Sequence, residues 1–198
     1  MPNWCYNTLE ITHEDPAMIA RAKTAFLGEG LLNEFVPVPE SLRITAGYLG
    51  DGAEQKALEA QEAENLKVHG YRNWYDYCVN EWGTKWDVHG QEVSDIPNGV
   101  ILNFDSAWAP PTNAYEKLMD LGFRVHAMYY EPGMCFCGIF DENGDDYYDL
   151  GGLNSEQVRE TLPVELDEAY GISDGIAEYE DEENIDIELN GGIDSINE

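Results

Sequence analysis

The stretch that decides the fold is residues 100–131, VILNFDSAWAPPTNAYEKLMDLGFRVHAMYYE. Val100 to Trp108 is an apolar run that predicts a strand, and the pair Pro110-Pro111 ends it. Thr112 to Gly122 predicts a helix with a favourable start and a glycine stop. Phe123 to Glu131 alternates apolar and polar residues, so the pattern predicts a second strand directly after the helix.

The same signals continue on both sides of this stretch. Trp4 to Thr12 alternates like a strand, and Asp15-Pro16 opens a helix. Residues 51–80 predict a helical insertion that becomes aromatic towards its end. After the second strand, Cys135 to Asp141 and the turn Asn143-Gly144 predict a hairpin. Without the insertion, the order is β-α-β-β-α-β followed by a C-terminal hairpin.

This order predicts an α+β protein with a ferredoxin-like antiparallel sheet and helices on one face. We expect one domain over residues 1–155, with the helical insertion at about 51–80, and an acidic C-terminal extension over 156–198. Within the extension, Ile185 to Leu189 alternates strictly and predicts a short strand. Glycines at 171, 175 and 191–192 predict that the extension does not form one continuous helix.

Negative charge is concentrated towards the C-terminus. The chain has 198 residues with 40 Asp+Glu and 10 Lys+Arg, for a net charge of -30, and residues 141–198 contribute -19 of it. Such a field repels nucleic-acid phosphates and anionic membrane surfaces, so the charge argues against direct binding to either. It favours a partner protein with a basic surface.

Several classes of protein are excluded on composition. No apolar run approaches the roughly 20 residues that a membrane span needs, and the first residues lack a signal-peptide pattern. The four cysteines are too few and too irregularly spaced for a secreted disulfide scaffold. We therefore expect a soluble protein of a reducing cytoplasm.

Four short motifs occur in order along the chain. They are MPNWCxN at 1–7, EWGTKWD at 81–87, FxSAWxPP at 104–111 and YExGxxFxG at 130–138. Together they resemble the YubB-type ferredoxin-like family of phage and plasmid proteins, over about residues 1–150. The resemblance implies a ferredoxin-like sheet, a mobile-element origin and hence the cytoplasm of a bacterial host. It implies no established enzymatic activity and no catalytic residues.

The segment that begins at Trp82 has two interpretations. In one, Trp82, Lys85, Trp86 and Trp108 form a groove in which an indole stacks on a base, a sugar or an aromatic side chain while Lys85 meets an anion. In the other, the indoles pack in the core against Trp108 and the Pro110-Pro111 corner. The sequence leaves both open.

Signals for catalysis and metal binding are weak. The Cys-x-Cys pair at 135–137 lacks two further ligands for zinc, and no Cys or Ser stands in a recognisable pattern with a histidine. Asp141, Asn143, Asp145 and Asp149 resemble the start of a calcium loop, but Asp146 stands where that loop needs glycine and Gly152 where it needs glutamate. We predict no enzymatic activity, no cofactor and no metal. A metal- or nucleotide-dependent enzyme that uses the three aspartates is the third alternative.

The leading hypothesis is a non-enzymatic accessory protein that binds a host protein through an acidic surface. The host protein is expected to bind nucleic acid or to act in defence, with the acidic surface mimicking nucleic acid. The charge is assigned to Glu178, Glu180, Asp181, Glu182, Glu183, Asp186 and Glu188. Tyr170 and Tyr179 are assigned as apolar anchors. The alternative is a ligand- or peptide-binding ferredoxin-like module that uses the Trp-lined groove.

Overall fold

Six strands form one antiparallel sheet in the described part of the chain. The structure, a computed structural model, describes residues 2–191, and describes side chains for residues 2–182. The strands are β1 (Trp4–Thr12), β2 (Ser94–Ile96), β3 (Gly99–Ala107), β4 (Arg124–Glu131), β5 (Phe136–Asp141) and β6 (Gly144–Asp149). Their order is β2-β3-β1-β4-β5-β6, and every neighbouring pair is antiparallel. The predicted α+β class with an antiparallel sheet is confirmed.

Eight α-helices and one short 3-10 helix (Glu40–Leu42) accompany the sheet within residues 2–191. The α-helices are α1 (Pro16–Leu27), α2 (Leu31–Phe35), α3 (Ala53–His69), α4 (Trp74–Glu81), α5 (Thr112–Asp120), α6 (Ser155–Thr161), α7 (Val164–Tyr170) and α8 (Ile172–Gly191). Helices α3 and α4 span most of the predicted helical insertion. None of the helices in this described range combines the length and the apolar character that a membrane span requires.

The main core lies between one face of the sheet and helices α1, α2, α4 and α5. Alternate residues of a strand point to opposite faces, and the inward set includes Leu9 of β1 and Leu102 of β3. Phe26 of α1, Leu32 of α2 and Leu118 of α5 are buried in the same cluster. Burial of each such side chain contributes about 1.5–3 kcal/mol, which holds these helices on this face.

A second core lies on the opposite face of the sheet. Ala127 and Phe140 are register partners in the main core, whereas the next pair, Met128 and Ile139, points the other way. The buried residues of the second core are Cys137, Ile139, Leu150, Val158, Leu162, Leu166 and Ile172. They come from the sheet, from α6–α8 and from the chain that connects them.

The expectation of helices on one face is therefore wrong for α6–α8. Val158, Leu162 and Leu166 stand four residues apart, and each is buried in the second core. These apolar side chains, from α6, from the connection at Leu162 and from α7, need a surface to cover them. The outer face of β4–β6 supplies that surface, so this segment packs on the sheet as a helical layer.

The C-terminal segment contradicts one local prediction and confirms another. Residues 185–189 continue helix α8 and form no strand, and Gly175 lies inside the same helix. Gly171 takes a φ of 59° and ends α7, so within residues 2–191 the extension is not one continuous helix, as predicted. Strict alternation over five residues is ambiguous, since Ile185 and Leu189 are also one helical turn apart.

Candidate functional site

The groove proposed from the sequence corresponds to a cleft of about 310 Å³, called here the tryptophan cleft. It forms between the loop around Arg43, helix α4 and the chain that follows α4. The lining residues are Val38, Arg43, Ile44, Trp74, Cys78, Trp82, Lys85, Trp86 and Asp87. Aromatic walls, two cations and one carboxylate thus meet in one concave site.

Trp82 belongs to the main core and forms an inner wall of the cleft. Only 4% of its surface is exposed, and its indole Nε1 donates a hydrogen bond to the Val36 carbonyl oxygen at 2.8 Å. Gly83 turns the chain directly afterwards with a φ of +88°. A Cβ at Gly83 would lie 3.2 Å from the Pro110 carbonyl oxygen, so close packing against the proline corner favours glycine here. For Trp82 the core interpretation applies.

Lys85 and Trp86 are placed differently from Trp82. The Lys85 ammonium lies 4.5 Å from the centre of the Trp86 ring, 5.0 Å from that of Trp108 and 5.8 Å from that of Tyr75. These distances fall within the range of cation–π attraction. Trp86 and Trp108 keep 39% and 42% of their surface exposed. The Trp4 ring extends the aromatic surface, with its centre 6.0 Å from that of Trp86.

Asp87 supports helix α2. Its carboxylate accepts hydrogen bonds from the backbone N–H groups of Leu32 at 2.7 Å, Asn33 at 2.9 Å and Val88 at 2.8 Å. Burial raises the pKa of the Asp87 carboxyl, and the backbone donors oppose that shift. Gly30 makes this approach possible, because a Cβ there would lie 2.2 Å from an Asp87 oxygen.

Trp108 is held in a strained backbone conformation. Its φ is +70°, a left-handed value that a bulky residue rarely adopts. The Trp108 N–H donates to the Asn3 carbonyl oxygen at 3.0 Å, and the Ser106 hydroxyl donates to the Ala109 carbonyl oxygen at 2.7 Å. These bonds fix the exit from β3 and place the Trp108 indole beside Lys85.

Helices α6–α8 form the second candidate surface, called here the acidic layer. Its described side chains include ten Asp or Glu residues over 156–182 and one base, Arg159, which pairs with Asp174 at 2.8 Å. Glu178, Asp181 and Glu182 are exposed. Glu183, Asp186 and Glu188 belong to the predicted surface as well, but lie outside the residues whose side chains the structure describes.

Glu180 has an internal role in the acidic layer. Its carboxylate accepts hydrogen bonds from the Ser155 backbone N–H at 3.0 Å and from the Ser155 hydroxyl at 2.7 Å. Both bonds lower the pKa of Glu180 below its ordinary value of 4.5, and the bond from the hydroxyl contributes more than the bond from the backbone. Glu180 thereby ties α8 to the first residue of α6.

The two predicted tyrosine anchors differ in exposure. Tyr170 is half-buried, and its hydroxyl donates to the Met128 carbonyl oxygen at 2.7 Å. Its ring centre lies 6.0 Å from that of Tyr130, so Tyr170 joins the acidic layer to the sheet. Tyr179 is 62% exposed on α8. The assignment of these two residues to partner binding stays a prediction.

The three aspartates of the metal alternative do not converge. Asp145 accepts a hydrogen bond from the Tyr129 hydroxyl at 2.6 Å, and Asp149 accepts one from the Gly151 N–H. In the β5–β6 pairing, Asp145 and Asp149 lie opposite Phe140 and Phe136, on one face of the sheet. Asp141 lies on the other face of the sheet. Within the part of the chain that the structure describes, no group of three or more His, Cys, Asp or Glu residues could hold a metal ion.

Sequence reasoning missed several residues of the tryptophan cleft. Arg43 and Trp74 line it, and Tyr75 and Trp4 contact its Lys85–Trp86 part. Trp4 had a detectable signal, because it belongs to the outward-facing set of β1. Arg43 had none, since an isolated cation in a loop carries no periodicity that points to a site.

Comparison with known proteins places the chain in no family. No family model matches it, and no curated protein does. Among solved structures it is similar to the protein api92 from Yersinia pseudotuberculosis, of family model DUF1281, with 13% identity and a TM-score of 0.37. The match covers 77% of this chain and 99% of that chain. A structural similarity this low gives no information about function.

Proposed function

We propose that the protein is a non-enzymatic binding module whose acidic layer binds a basic surface of a partner protein. One observation carries the proposal. Asp174, Glu178, Asp181 and Glu182 are exposed at positions i, i+4, i+7 and i+8 of α8, and are called here the acidic row. Residues at this spacing share one side of a helix, so the charges of Glu178, Asp181 and Glu182 add along a line, and Asp174 extends it with a charge that Arg159 partly offsets.

The spacing of the acidic row supports competition with nucleic acid. Eight residues of helical rise separate Asp174 from Glu182, about 12 Å, which gives one carboxylate per ~4 Å. One strand of DNA carries one charge per ~3.4 Å of helix axis. A protein that grips a phosphate backbone therefore meets a similar line of charge, and we infer that the partner is a nucleic-acid-binding or defence protein.

The buried thiols are poorly suited to act as catalytic nucleophiles. Burial raises the pKa of Cys5, Cys78 and Cys137 to about 12, so all three are protonated at neutral pH. A protonated, buried thiol is a poor nucleophile. Cys135 is exposed in the turn before β5, and its thiol donates to the Pro132 carbonyl oxygen at 3.5 Å.

We also infer that strands β1–β4 with α1 and α5 form a ferredoxin-like unit of a phage or plasmid protein. The supporting feature is the order β2-β3-β1-β4, with α1 after β1 and α5 between β3 and β4. The mobile-element origin and the bacterial cytoplasm rest on the resemblance of the four sequence motifs.

The proposal is tested by release of host proteins from immobilised duplex DNA. The wild-type protein is expected to elute a defined basic host protein, and elution should weaken as salt rises. The test variant neutralises the acidic row: Asp174→Asn, Glu178→Gln, Asp181→Asn and Glu182→Gln. It should elute at least about tenfold less, because several charge pairs are lost at once.

A matched control removes the same charge elsewhere. Four exposed glutamates outside the acidic layer, Glu14, Glu29, Glu54 and Glu92, become glutamine. This control should release the host protein like the wild type. Equal loss in both variants, or no loss in the acidic-row variant, contradicts the proposal.

A further inference from the structure

All five tryptophans of the chain gather at the tryptophan cleft. Trp74, Trp82 and Trp86 line it, Trp4 contacts Trp86, and Trp108 lies beside Lys85. Only Trp82 is fully committed to the core, whereas Trp4, Trp86 and Trp108 each expose about two-fifths of their surface. Exposed indoles that come together from separate segments form a surface on which a planar group can stack.

The cleft is cationic in a strongly acidic protein. Seven of the ten Lys and Arg residues pair with carboxylates in the described chain. Within the same described residues Lys85 has no ion pair, and its ammonium is held against aromatic rings instead. Arg43 donates to the Asn33 side chain at 2.9 Å and pairs with Glu40 at 3.5 Å. Because the Glu40 side chain is 94% exposed, this ion pair is weak and leaves Arg43 able to meet a ligand.

The strained backbone of Trp108 also points to a binding site. A left-handed conformation is unfavourable for a residue with a Cβ, and the bonds around Trp108 enforce it. The conformation presents a bulky indole at the surface, where 42% of the residue stays exposed. Retained strain of this kind is concentrated at binding and active sites.

We propose that the tryptophan cleft binds a small planar ring that carries one anionic group. The ring stacks on the exposed indoles of Trp86 and Trp108, and the anionic group pairs with Lys85 and Arg43. The volume of about 310 Å³ lies at the lower end of the range for ligand sites, which fits a small molecule better than a peptide.

The charges around the cleft select an anion over a cation. Aromatic rings attract cations, but Lys85 already occupies that position, so an incoming cation meets a like charge. Asp87 is the carboxylate that lines the cleft, and three backbone N–H groups already bind it. The unsatisfied charge in the cleft is therefore positive.

Two pairs of probes test the proposal and distinguish a phosphate from a carboxylate as the anionic group. Adenosine monophosphate is compared with adenosine, and phenylacetate with phenylacetamide, by NMR titration of the tryptophan indole N–H signals. At least one anionic probe is expected to bind about tenfold more tightly than its neutral counterpart, the effect of one charge-assisted contact. Trp86 and Trp108 should shift most, and Trp82 least, because its N–H is already bonded to Val36.

Substitutions then locate the interaction. Lys85→Gln and Arg43→Gln should each weaken the anionic probe about tenfold and leave the neutral probe unchanged. The matched control is Lys56→Gln, an exposed lysine on α3 that loses the same charge and does not line the cleft. The acidic-row variant should bind the probes like the wild type, which keeps this proposal separate from the proposed function.

Three results would overturn the proposal. The first is that no probe shifts an indole signal up to its solubility limit. The second is equal affinity for charged and neutral members of both pairs. The third is that neither Lys85→Gln nor Arg43→Gln weakens the anionic probe more than the control does.

Discussion

The tryptophan cleft and the acidic layer differ in how their residues are distributed along the chain. The cleft unites Trp4, Arg43, the segment 74–87 and Trp108, whereas the acidic layer comes from one continuous stretch, residues 155–182 in its described side chains. A charged surface made by one segment is visible in local composition. An aromatic and cationic cleft made by four segments exists only once the chain has folded.

The two regions also differ in what supports them. Trp82 joins the cleft to the main core, and Leu166 joins the acidic layer to the second core. The cleft is lined by two cations and one carboxylate, whereas the described side chains of the acidic layer include ten carboxylates and one cation. The cleft therefore suits an anionic ligand and the acidic layer a cationic one. A substitution in one region should therefore change the stability or binding of that region and have little effect on the other.

The largest effect is expected from Trp82→Ala. The change leaves a cavity in the main core and removes the donor to the Val36 carbonyl, so the free energy of unfolding should fall by about 3–5 kcal/mol. Urea unfolding measures it. Trp86→Ala is the matched control, because its indole is 39% exposed and should cost less than half as much. Equal losses would mean that Trp86 is a core residue and not part of a binding surface.

Leu166→Ala should have the next largest effect, about 2–4 kcal/mol, because Leu166 is fully buried in the second core. Hydrogen exchange should become faster in α6–α8 and remain slow in β1 and β3, which the main core holds. Val164→Ala in the same helix is the control, since Val164 is exposed. Faster exchange throughout β1 and β3 would show that the two regions unfold as one unit.

A smaller effect is expected at Trp108, where two substitutions separate strain from contact. Trp108→Gly and Trp108→Ala both remove the indole, but only glycine relieves the φ of +70°. The glycine variant should be more stable than the alanine variant by about 1 kcal/mol in urea unfolding. Both should bind the anionic probe more weakly than the wild type. Equal stability of the two variants would contradict a strained Trp108.

The smallest effect is expected from the tie between Glu180 and Ser155, and it depends on pH. The pKa of Glu180 is lower when folded than its ordinary value of 4.5. Its contribution to stability is therefore present above pH 4.5 and lost as the pH falls through the folded pKa. Glu180→Gln should reduce the urea midpoint at neutral pH, and the difference from wild type should vanish in acid. Glu178→Gln, an exposed position on the same helix, is the control and should leave the urea midpoint at neutral pH near that of the wild type.

Much of the fold follows from periodicity and turn signals. Strands β1 and β3–β5 and helices α1 and α5 lie close to the predicted positions, because each has a strong local pattern and clear stop residues. The hairpin at Asn143-Gly144 is present, with Gly144 at a φ of 115°. These features need no information from distant parts of the chain.

The failures have a physical cause in common. The position of α6–α8 on the second face depends on packing against the sheet, and local alternation cannot report that. In the same way, the EWGTKWD segment did not separate Trp82, which is buried, from Trp86, which is exposed. The distinction depends on Val36 and Trp4, which lie far away in the sequence.

The sequence by itself determined the α+β class, the order of the main elements and the concentration of negative charge after residue 140. Each of those properties is set by local segments of the chain, so it can be predicted without knowing which segments contact each other. Only the tertiary structure decided that the acidic segment packs on the second face of the sheet and that five tryptophans surround a cationic cleft. Both depend on which surfaces meet, and that follows from burial of apolar area across the whole chain.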